Sequence, residues 1–274
     1  MKIAIVPHRH RPRSVELARD LISAAQEYGV DVVASAIDAP ALDMEPTELD
    51  ETTGVDLVVA IGGDGTVLKA VRVCLRTGAP IYGINAGNLG FLAEGEPTDL
   101  AQTMERLVGE MWFTSDRMMI QASINGGVPV VGLNDVVIEK VESQRTVQLA
   151  VSVDGEPFIT YTADGVVLAT PTGSTAYSLS AGGPLVDPDM DAIVMTPVSP
   201  HSLFSRAMVF PPERELQFSV LDDRSVGVNV DGIVVDKIDP GGVISVRRAA
   251  ARITFVSLSG RSYPTTVKRK FSLQ

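Results

Sequence analysis

The stretch Val55-Asp56-Leu57-Val58-Val59-Ala60-Ile61-Gly62-Gly63-Asp64-Gly65-Thr66 runs from apolar, β-branched residues straight into a glycine-rich loop. A buried strand that ends in such a loop and hands over to a helix is the basic joint of an α/β unit. The sequence on either side repeats that joint. Residues 2–6 read as a strand, and Ser14 is placed to cap a helix with Val15, Leu17, Ala18, Leu21, Ile22 and Ala25 at helical spacing. Gly29 ends that helix. A second strand is expected over 30–36, a loop or short helix over 38–51, and a third strand over 55–61. A helix over 67–76, a fourth strand over 79–85 and a helix over 97–108 complete the region. Strands alternating with helices predict a parallel sheet covered on both faces.

From about residue 113 the pattern changes to short β-rich runs, at 118–124, 128–139, 147–153, 165–169, 192–196, 216–221, 225–230, 243–248 and 252–258. Turn signals such as Asn125-Gly126-Gly127, Asp154-Gly155, Asp231-Gly232 and Pro240-Gly241-Gly242 separate many of them. The expected fold is therefore an α/β N-terminal domain with a parallel sheet (1–112), followed by a mostly antiparallel, β-rich C-terminal domain (113–274). A functional site is expected at the cleft between them. The basic tail Val267-Lys268-Arg269-Lys270 is free to return to the first domain.

The 274 residues suit two domains, with 45% hydrophobic and 21% charged residues. The net charge of −11 argues against a general nucleic-acid or membrane-surface binder. No apolar run is long enough to span a bilayer, and the first residues lack the pattern of a signal peptide. The single cysteine, Cys74, excludes an intramolecular disulfide, suits a reducing cytosol and falls on the apolar face of its helix. The expectation is a cytoplasmic protein. An acidic chain that binds polyanions must gather its basic groups locally. It offers His8-Arg9-His10-Arg11-Pro12-Arg13 after the first strand, Lys69, Arg72 and Arg76 after the glycine loop, and Lys140 and Arg145 further on. Any one of these reads equally as solvated surface charge. The N-terminal cluster, however, sits where ligands gather in open α/β sheets, beyond the carboxyl ends of the strands.

The loop Gly62–Thr66 lets backbone amides approach a phosphate, because glycine puts no Cβ in the way. Asp64 in its middle suits a metal ligand or a base beside bound phosphate. The plain alternative is a tight strand-to-helix turn with a solvated aspartate. The stretch lacks the Gly-Lys-Ser/Thr of a Walker A loop and the spacing of a dinucleotide-binding GxGxxG. A second stretch, Thr170-Pro171-Thr172-Gly173-Ser174-Thr175-Ala176-Tyr177-Ser178, follows the apolar run 166–169 and continues as Ser180-Ala181-Gly182-Gly183. Its hydroxyls suit phosphate or ribose oxygens, and Tyr177 suits a base or loop packing. Asn134 and Asp135 interrupt an apolar run, as at an edge turn or where a ligand meets polar groups. Asp164-Gly165 has the form of a hairpin turn, and His201 reads as a loop histidine.

In order and spacing, GGDGTVLKA (62–70), Asn85-Ala86-Gly87-Asn88-Leu89-Gly90-Phe91-Leu92, Leu133-Asn134-Asp135, Asp164-Gly165 and TPTGSTAYSLSAGGP resemble the motifs of the NAD kinase family. Pro200-His201-Ser202-Leu203 and Asp231-Gly232 fit as well, so the resemblance covers nearly the whole chain. GGDG is shared with lipid kinases and phosphofructokinases; the pairing of the 85–92 motif with TPTGSTAYSLSAGGP is specific. The resemblance implies phosphoryl transfer from ATP or inorganic polyphosphate to the 2′-hydroxyl of the adenosine ribose of NAD, giving NADP, with a divalent metal, Mg²⁺ by analogy. Asp64 would be the catalytic base. Gly62, Gly63 and Thr66 would lie at the donor phosphates, with Gly65 and Lys69 beside them. Asn134 and Asp135 would hold the adenine and ribose, and Asp164 the nicotinamide end. Thr175, Ala176, Tyr177, Ser178 and Ser180 would line the dinucleotide pocket, and Arg145 would add a basic group. Thr162 and Ile233 depart from the family's frequent arginine and glutamine. A homodimer or homotetramer is implied too. Two further readings stay open on the residues: another GGDG kinase acting on a lipid or sugar, and a non-catalytic NADP(H)-binding sensor. The run His8–Arg13 is a candidate for holding donor phosphates.

Overall fold

The computed structural model describes residues 1–87, 90–93, 99–142, 145–202, 204–221 and 223–273. The chain forms two compact units: residues 1–116 together with 253–274, and residues 117–252.

In the first unit the elements are β1 (Lys2–Pro7), α1 (Pro12–Glu27), β2 (Asp31–Val33), α2 (Ala39–Leu42), β3 (Leu57–Gly62), α3 (Asp64–Thr77), β4 (Ile81–Asn85) and α4 (Leu100–Val108). The sheet order is β2-β1-β3-β4, every pair parallel. β3 is buried throughout and β1 nearly so, as a parallel sheet covered on both faces requires. α1 presents Leu17, Ala18, Leu21 and Ala25 to Ile3, Ile5, Leu57, Val59 and Ile61, and Met104 and Leu107 of α4 join the same cluster. Each such fully buried aliphatic side chain contributes roughly 1.5–3 kcal/mol, so α1 is held by tertiary burial rather than by helix propensity.

Three boundaries differ from expectation for local reasons. α3 begins at Asp64, inside the glycine loop, because the polar Asp-Gly-Thr segment forms its first turn ahead of the apolar face. β2 spans only 31–33, since Ser35 and Asp38 turn the chain into α2 (Asp38 N–H to Ser35 O, 2.9 Å). α4 starts at Leu100, where Asp99 accepts from the Gln102 amide at 2.9 Å; Pro97 and Thr98 lie outside the described residues. Cys74 is buried, and burial pushes its thiol up to about 12, which keeps it an inert core group.

The second unit holds β5 (Phe113–Ile124, from Arg117 onward), β6 (Val130–Gly132), β7 (Asp135–Lys140), β8 (Val147–Val153), β9 (Glu156–Ala163), β10 (Gly165–Ala169), α5 (Tyr177–Ser180), β11 (Ile193–Val198), β12 (Met208–Phe210), β13 (Leu216–Val220), β14 (Val226–Val230), β15 (Ile233–Ile238) and the first part of β16 (Val243–Ser257). One antiparallel ladder runs β16-β13-β8-β9, with β5 paired to β16 and β6; the other runs β12-β11-β10-β7-β14-β15. β13 and β14 alternate buried and half-buried residues, the period-two signature of one-sided packing. β10 is buried on both faces. Val166 and Leu168 enter the main core, while Val167 and Ala169 meet Val137, Val186 and Val194.

The apolar run 128–139 splits at Leu133-Asn134 into β6 and β7. The two pieces expected over 243–258 form one strand, β16, whose residues 253–257 belong to the first unit, where Phe255 and Val256 pair with Ile81 and Tyr82 of β4 in parallel. The tail forms a helix, α6 (Tyr263–Phe271), in that first unit. Asp164-Gly165 is not a hairpin turn: β9 and β10 lie in different ladders, and Asp164 donates its amide to Val198 O at 2.9 Å. Among the described residues no helix is long and apolar enough to cross a membrane.

Candidate active site

In the first unit, β3 ends at Gly62 and Gly63 caps α3 with no side-chain hydrogen bond, so the first-turn amides lack a side-chain cap. A Cβ at Gly62 would stand 2.3 Å from Thr66 Oγ1, so packing inside the loop demands glycine there. At Gly63 and Gly65 the situation is the opposite. Among the described residues a Cβ at either would meet no atom within 4 Å, and neither residue has a positive φ. Their backbone is bare without any internal need for it.

Asp64 sits at the head of α3. Its Oδ2 accepts from the Phe91 amide and its Oδ1 from the Leu92 amide, each at 3.0 Å. A Cβ at Gly90 would come 2.0 Å from Asp64 Oδ1, so glycine there is what lets the loop close over the carboxylate. The preceding turn is fixed by Asn85, which donates to Gly87 O (3.0 Å) and accepts from the Gly87 amide (3.1 Å). Asn88 and Leu89 of this motif lie outside the described residues. Each Asp64 oxygen holds one amide and keeps lone-pair capacity for another donor. Lys69 is ion-paired with Asp38, which is 1% exposed and also accepts from Ser35 Oγ at 2.9 Å. A cavity of about 490 Å³ opens here. Gly63, Asp64, Gly65, Thr66 and Lys69 form one side, and the loop 8–11 after β1 forms the other.

In the second unit the polar residues gather around Asp231. Its carboxylate accepts from the amides of Leu133 (2.8 Å), Asn134 (2.7 Å) and Asp135 (3.3 Å), so one side chain holds the turn between β6 and β7. Asp135 is 5% exposed; burial, and then the charge of Asp231, push its carboxyl up to about 7. Asn134 is 9% exposed, and its Oδ1 is a buried acceptor with no partner. Buried acceptors in folded proteins are almost always satisfied, so this one, unpartnered among the described residues, has capacity for a further donor.

The TPTGSTAYS stretch forms a 3-10 turn (Thr172–Thr175) and then α5. A Cβ at Gly173 would stand 1.9 Å from Asn134 O, so glycine brings this turn against the 133–135 turn. Thr170 bridges the two, with Oγ1 donating to Leu133 O (2.6 Å) and accepting from the Gly173 amide (3.0 Å). Thr175 Oγ1 donates back to Thr172 O at 3.2 Å, and Ala176 is half-buried. Tyr177 and Ser180 are exposed. Burial, then the charges of Glu139, Asp164 and Asp135, raise the Tyr177 phenol above its ordinary value. Ser178 differs from the rest. It is fully buried and its hydroxyl is shared with Thr196 Oγ1 at 3.0 Å, so it braces α5 from inside. Ser174 does the same through the Val186 backbone.

Asp164 pairs with Lys140 (2.6 Å), and the Lys140 amide donates to Asp164 O (2.9 Å). Arg145 is exposed in the connection between β7 and β8, next to residues outside the described set. His201 is exposed and donates its amide to Thr162 O at 2.7 Å. The structure thus gathers Asn134, Asp135, Thr175, Ala176 and Tyr177 around one turn, with Asp164 near Tyr177. Two organising roles were not read from the sequence: Asp231, marked there only by its Asp-Gly turn and motif, as acceptor for three amides, and Asp38 as partner of Lys69. Each is recognisable only through contacts distant in sequence.

Family models for the ATP-NAD kinase N-terminal and C-terminal domains match residues 44–111 and 133–258. The chain is 36% identical to an NAD kinase of Moorella thermoacetica, covering 98% of this chain and 88% of that one. It is 37% identical to an NAD kinase of Chloroherpeton thalassium, covering 99% and 97%. Among solved structures, a yeast NADH kinase complexed with NADH superimposes with a TM-score of 0.91 at 26% identity, covering 100% of this chain and 88% of that one. An NAD kinase from Archaeoglobus fulgidus in complex with ATP shares the fold, with a TM-score of 0.75 at 23% identity over 100% and 97% of the two chains. With both domain models matched and relatives aligned along nearly its whole length, the chain belongs to the NAD kinase family.

Proposed function

We propose that this protein transfers the terminal phosphoryl group of ATP to the 2′-hydroxyl of the adenosine ribose of NAD, with Asp64 as the base. One observation carries the assignment. The Asp64 carboxylate is held by the amides of Phe91 and Leu92, beside two glycines whose bare backbone no internal contact requires. A ribose hydroxyl is a poor nucleophile at neutral pH, and an oriented carboxylate contributes roughly 10²–10⁴-fold as general base. Its proton would pass to an Asp64 oxygen as the hydroxyl oxygen attacks phosphorus, while the amides of Gly63 and Gly65 would face the phosphates; the Thr66 amide donates to Gly63 O at 2.8 Å. Gly62 supports this loop by leaving room for Thr66, and Lys69, steered by Asp38, adds positive charge.

The acceptor would be held by the second unit. The unpartnered Asn134 Oδ1 suits an exocyclic amine such as that of adenine, and Asp135 suits a ribose hydroxyl. Tyr177, Thr175, Ala176 and Ser180 offer a ring and small polar surfaces to the dinucleotide, with Asp164 and Lys140 at its nicotinamide end and Arg145 as an outlying cation. Ser178 shapes this pocket from behind through Thr196. A divalent cation, Mg²⁺ by preference, is compatible with the donor set, since Asp64 keeps lone pairs free and Mg²⁺ commonly combines one carboxylate with phosphate oxygens and water. When bound, it neutralises charge on the donor phosphates. The single buried Cys74 supports a cytoplasmic setting, and the exposed Ile233 and Val234 on the edge strand β15 support self-association as a homodimer or homotetramer.

The test is Asp64→Asn, which keeps the shape, removes the base and leaves one of the amides at 91 and 92 without an acceptor. NADP formation with ATP and Mg²⁺ should fall by roughly 10² or more with the fold retained. Near-wild-type turnover would refute the assignment. Binding of NAD and ATP by wild-type protein without any turnover would instead favour a sensor.

A further inference from the structure

α6 has nine residues and none of them is buried. A helix that short is marginal in water by itself, so its hold on the molecule comes from its ends and from a few surface contacts. The start is built locally. Pro264 stands in the first turn, the hydroxyls of Ser262 and Thr265 share a hydrogen bond of 2.9 Å, and the Thr266 amide donates to Ser262 O at 3.1 Å. The far end turns at Ser272, φ 52°, and the Leu273 amide donates back to Lys268 O at 3.0 Å. That last turn carries Lys270 and Phe271, and both meet Phe91. The Phe91 and Phe271 ring centroids are 6.0 Å apart with planes tilted by 51°, and the Lys270 ammonium stands 5.6 Å from the Phe91 centroid. Both separations are those of attractive aromatic and cation–π pairs.

The backbone of Phe91 is half of the clamp on Asp64, since its amide and that of Leu92 each donate to the carboxylate at 3.0 Å. The Leu92 half is seated on the sheet. A Cβ at Gly83 of β4 would stand 3.0 Å from Ala93 Cα and 3.2 Å from Leu92 O, so the strand backs this part of the segment closely. At Phe91 the contact comes from α6 instead. The two donor amides are thus supported by different elements, one by a buried strand and one by a surface helix. Phe91 is half-buried and Phe271 is 41% exposed, so the ring pair can open without breaching the core. For a general base, small misplacement of the carboxylate costs rate at the chemical step.

We infer that Phe271 is a positioning residue for phosphoryl transfer: its ring fixes the ring of Phe91, and through it the amide that orients the Asp64 carboxylate. The inference rests on the reading of Asp64 as the base and adds the C-terminal helix to what holds that base in place. Lys270 is a second hold on the same ring. Phe271 acts through the backbone at 91, so its removal is felt in turnover rather than in the affinity for either substrate.

The test is Phe271→Ala in the full chain, with Phe271→Tyr to keep the ring and Leu273→Ala, at a residue 55% exposed, as a control on the same tail. In Phe271→Ala, kcat for NADP formation should fall about three- to tenfold, the factor an aromatic pair is worth, while the KM values for ATP and NAD stay within about twofold. Phe271→Tyr and Leu273→Ala should each keep kcat within about twofold of the wild type. Amide hydrogen exchange followed by NMR reads the clamp without turnover. The Phe91 amide should exchange about three- to tenfold faster in Phe271→Ala, and the Leu92 amide, backed by β4, should change less. An unchanged kcat in Phe271→Ala would overturn the inference. So would a lost kcat with the Phe91 amide protected as in the wild type, or a loss that tyrosine does not restore. If the wild type formed no NADP while Phe271→Ala still loosened the Phe91 amide, the hold on Asp64 would stand and the kinase reading would fail.

Discussion

At Gly90 a single hydrogen in place of a methyl group decides where a carboxylate can go. An added Cβ would stand 2.0 Å from Asp64 Oδ1, well inside contact distance. For Gly90→Ala, either Asp64 must rotate off its two amides or the loop must withdraw. Because the carboxylate needs hydrogen-bond reach of the hydroxyl it deprotonates, kcat for NADP formation should drop by about tenfold or more. The unfolding midpoint in urea should move far less. A variant that kept full kcat would show that the clamp on Asp64 is dispensable. Gly63 and Gly65 teach the reverse lesson: among the described residues no contact needs them bare, which agrees with the proposed role of this loop at a ligand.

The turn between β6 and β7 depends on a residue from the hairpin joining β14 and β15. Asp231, at φ 49°, accepts from three successive amides at 133–135. Asp231→Ala would leave those buried donors unpaired and should lower the unfolding free energy by about 2–4 kcal/mol, measured by urea titration. A loss under about 0.5 kcal/mol would show that the turn is held by Thr170 and the Gly173 contact instead. This long-range grip also explains what was legible in the sequence. β8 and β10 were readable to the residue, because burial imposes unbroken or alternating apolar character on them. At Asn134 the interruption was readable, with an edge turn as one reading, but not what holds it, because Asp231 lies about a hundred residues away. β9 and β15 went unseen because they are largely exposed strands carrying Pro157, Glu156, Asp236 and Lys237, and lack a clean apolar period. β16 looked like two strands because exposed Arg247 and Arg248 interrupt its middle. The site was legible where a motif is contiguous, as at 62–66 and 170–178. It was illegible where a group acts through a distant backbone, as Asp231 and Asp38 do.

Across the whole molecule, a buried acid near neutrality makes stability depend on pH. The Asp135 carboxyl is raised from 3.8 to about 7, chiefly by burial and then by Asp231, while Tyr177 stands nearby. A raised carboxyl means the folded state binds the proton more tightly than the unfolded chain. Its contribution is therefore fully present below about pH 4 and is lost progressively as pH rises towards 7, with a slope of at most about 1.4 kcal/mol per pH unit. Thermal unfolding of wild type and Asp135→Asn between pH 5 and 8 should show the wild type losing ground to the variant as pH rises. Parallel curves would show that Asp135 is already ionised at pH 5.

Phe91, whose amide holds Asp64, also has a ring in contact with the end of the chain. Its centroid lies 6.0 Å from that of Phe271, and the Lys270 ammonium sits 5.6 Å above it. The last helix is therefore one residue removed from the proposed base, whereas Met1 opens β1 at the end of that strand away from His8. Fusions and affinity handles thus have unequal effects at the two termini. One joined on the C-terminal side of α6 would pull on the residue that orients the carboxylate, and one joined ahead of β1 would leave that residue alone.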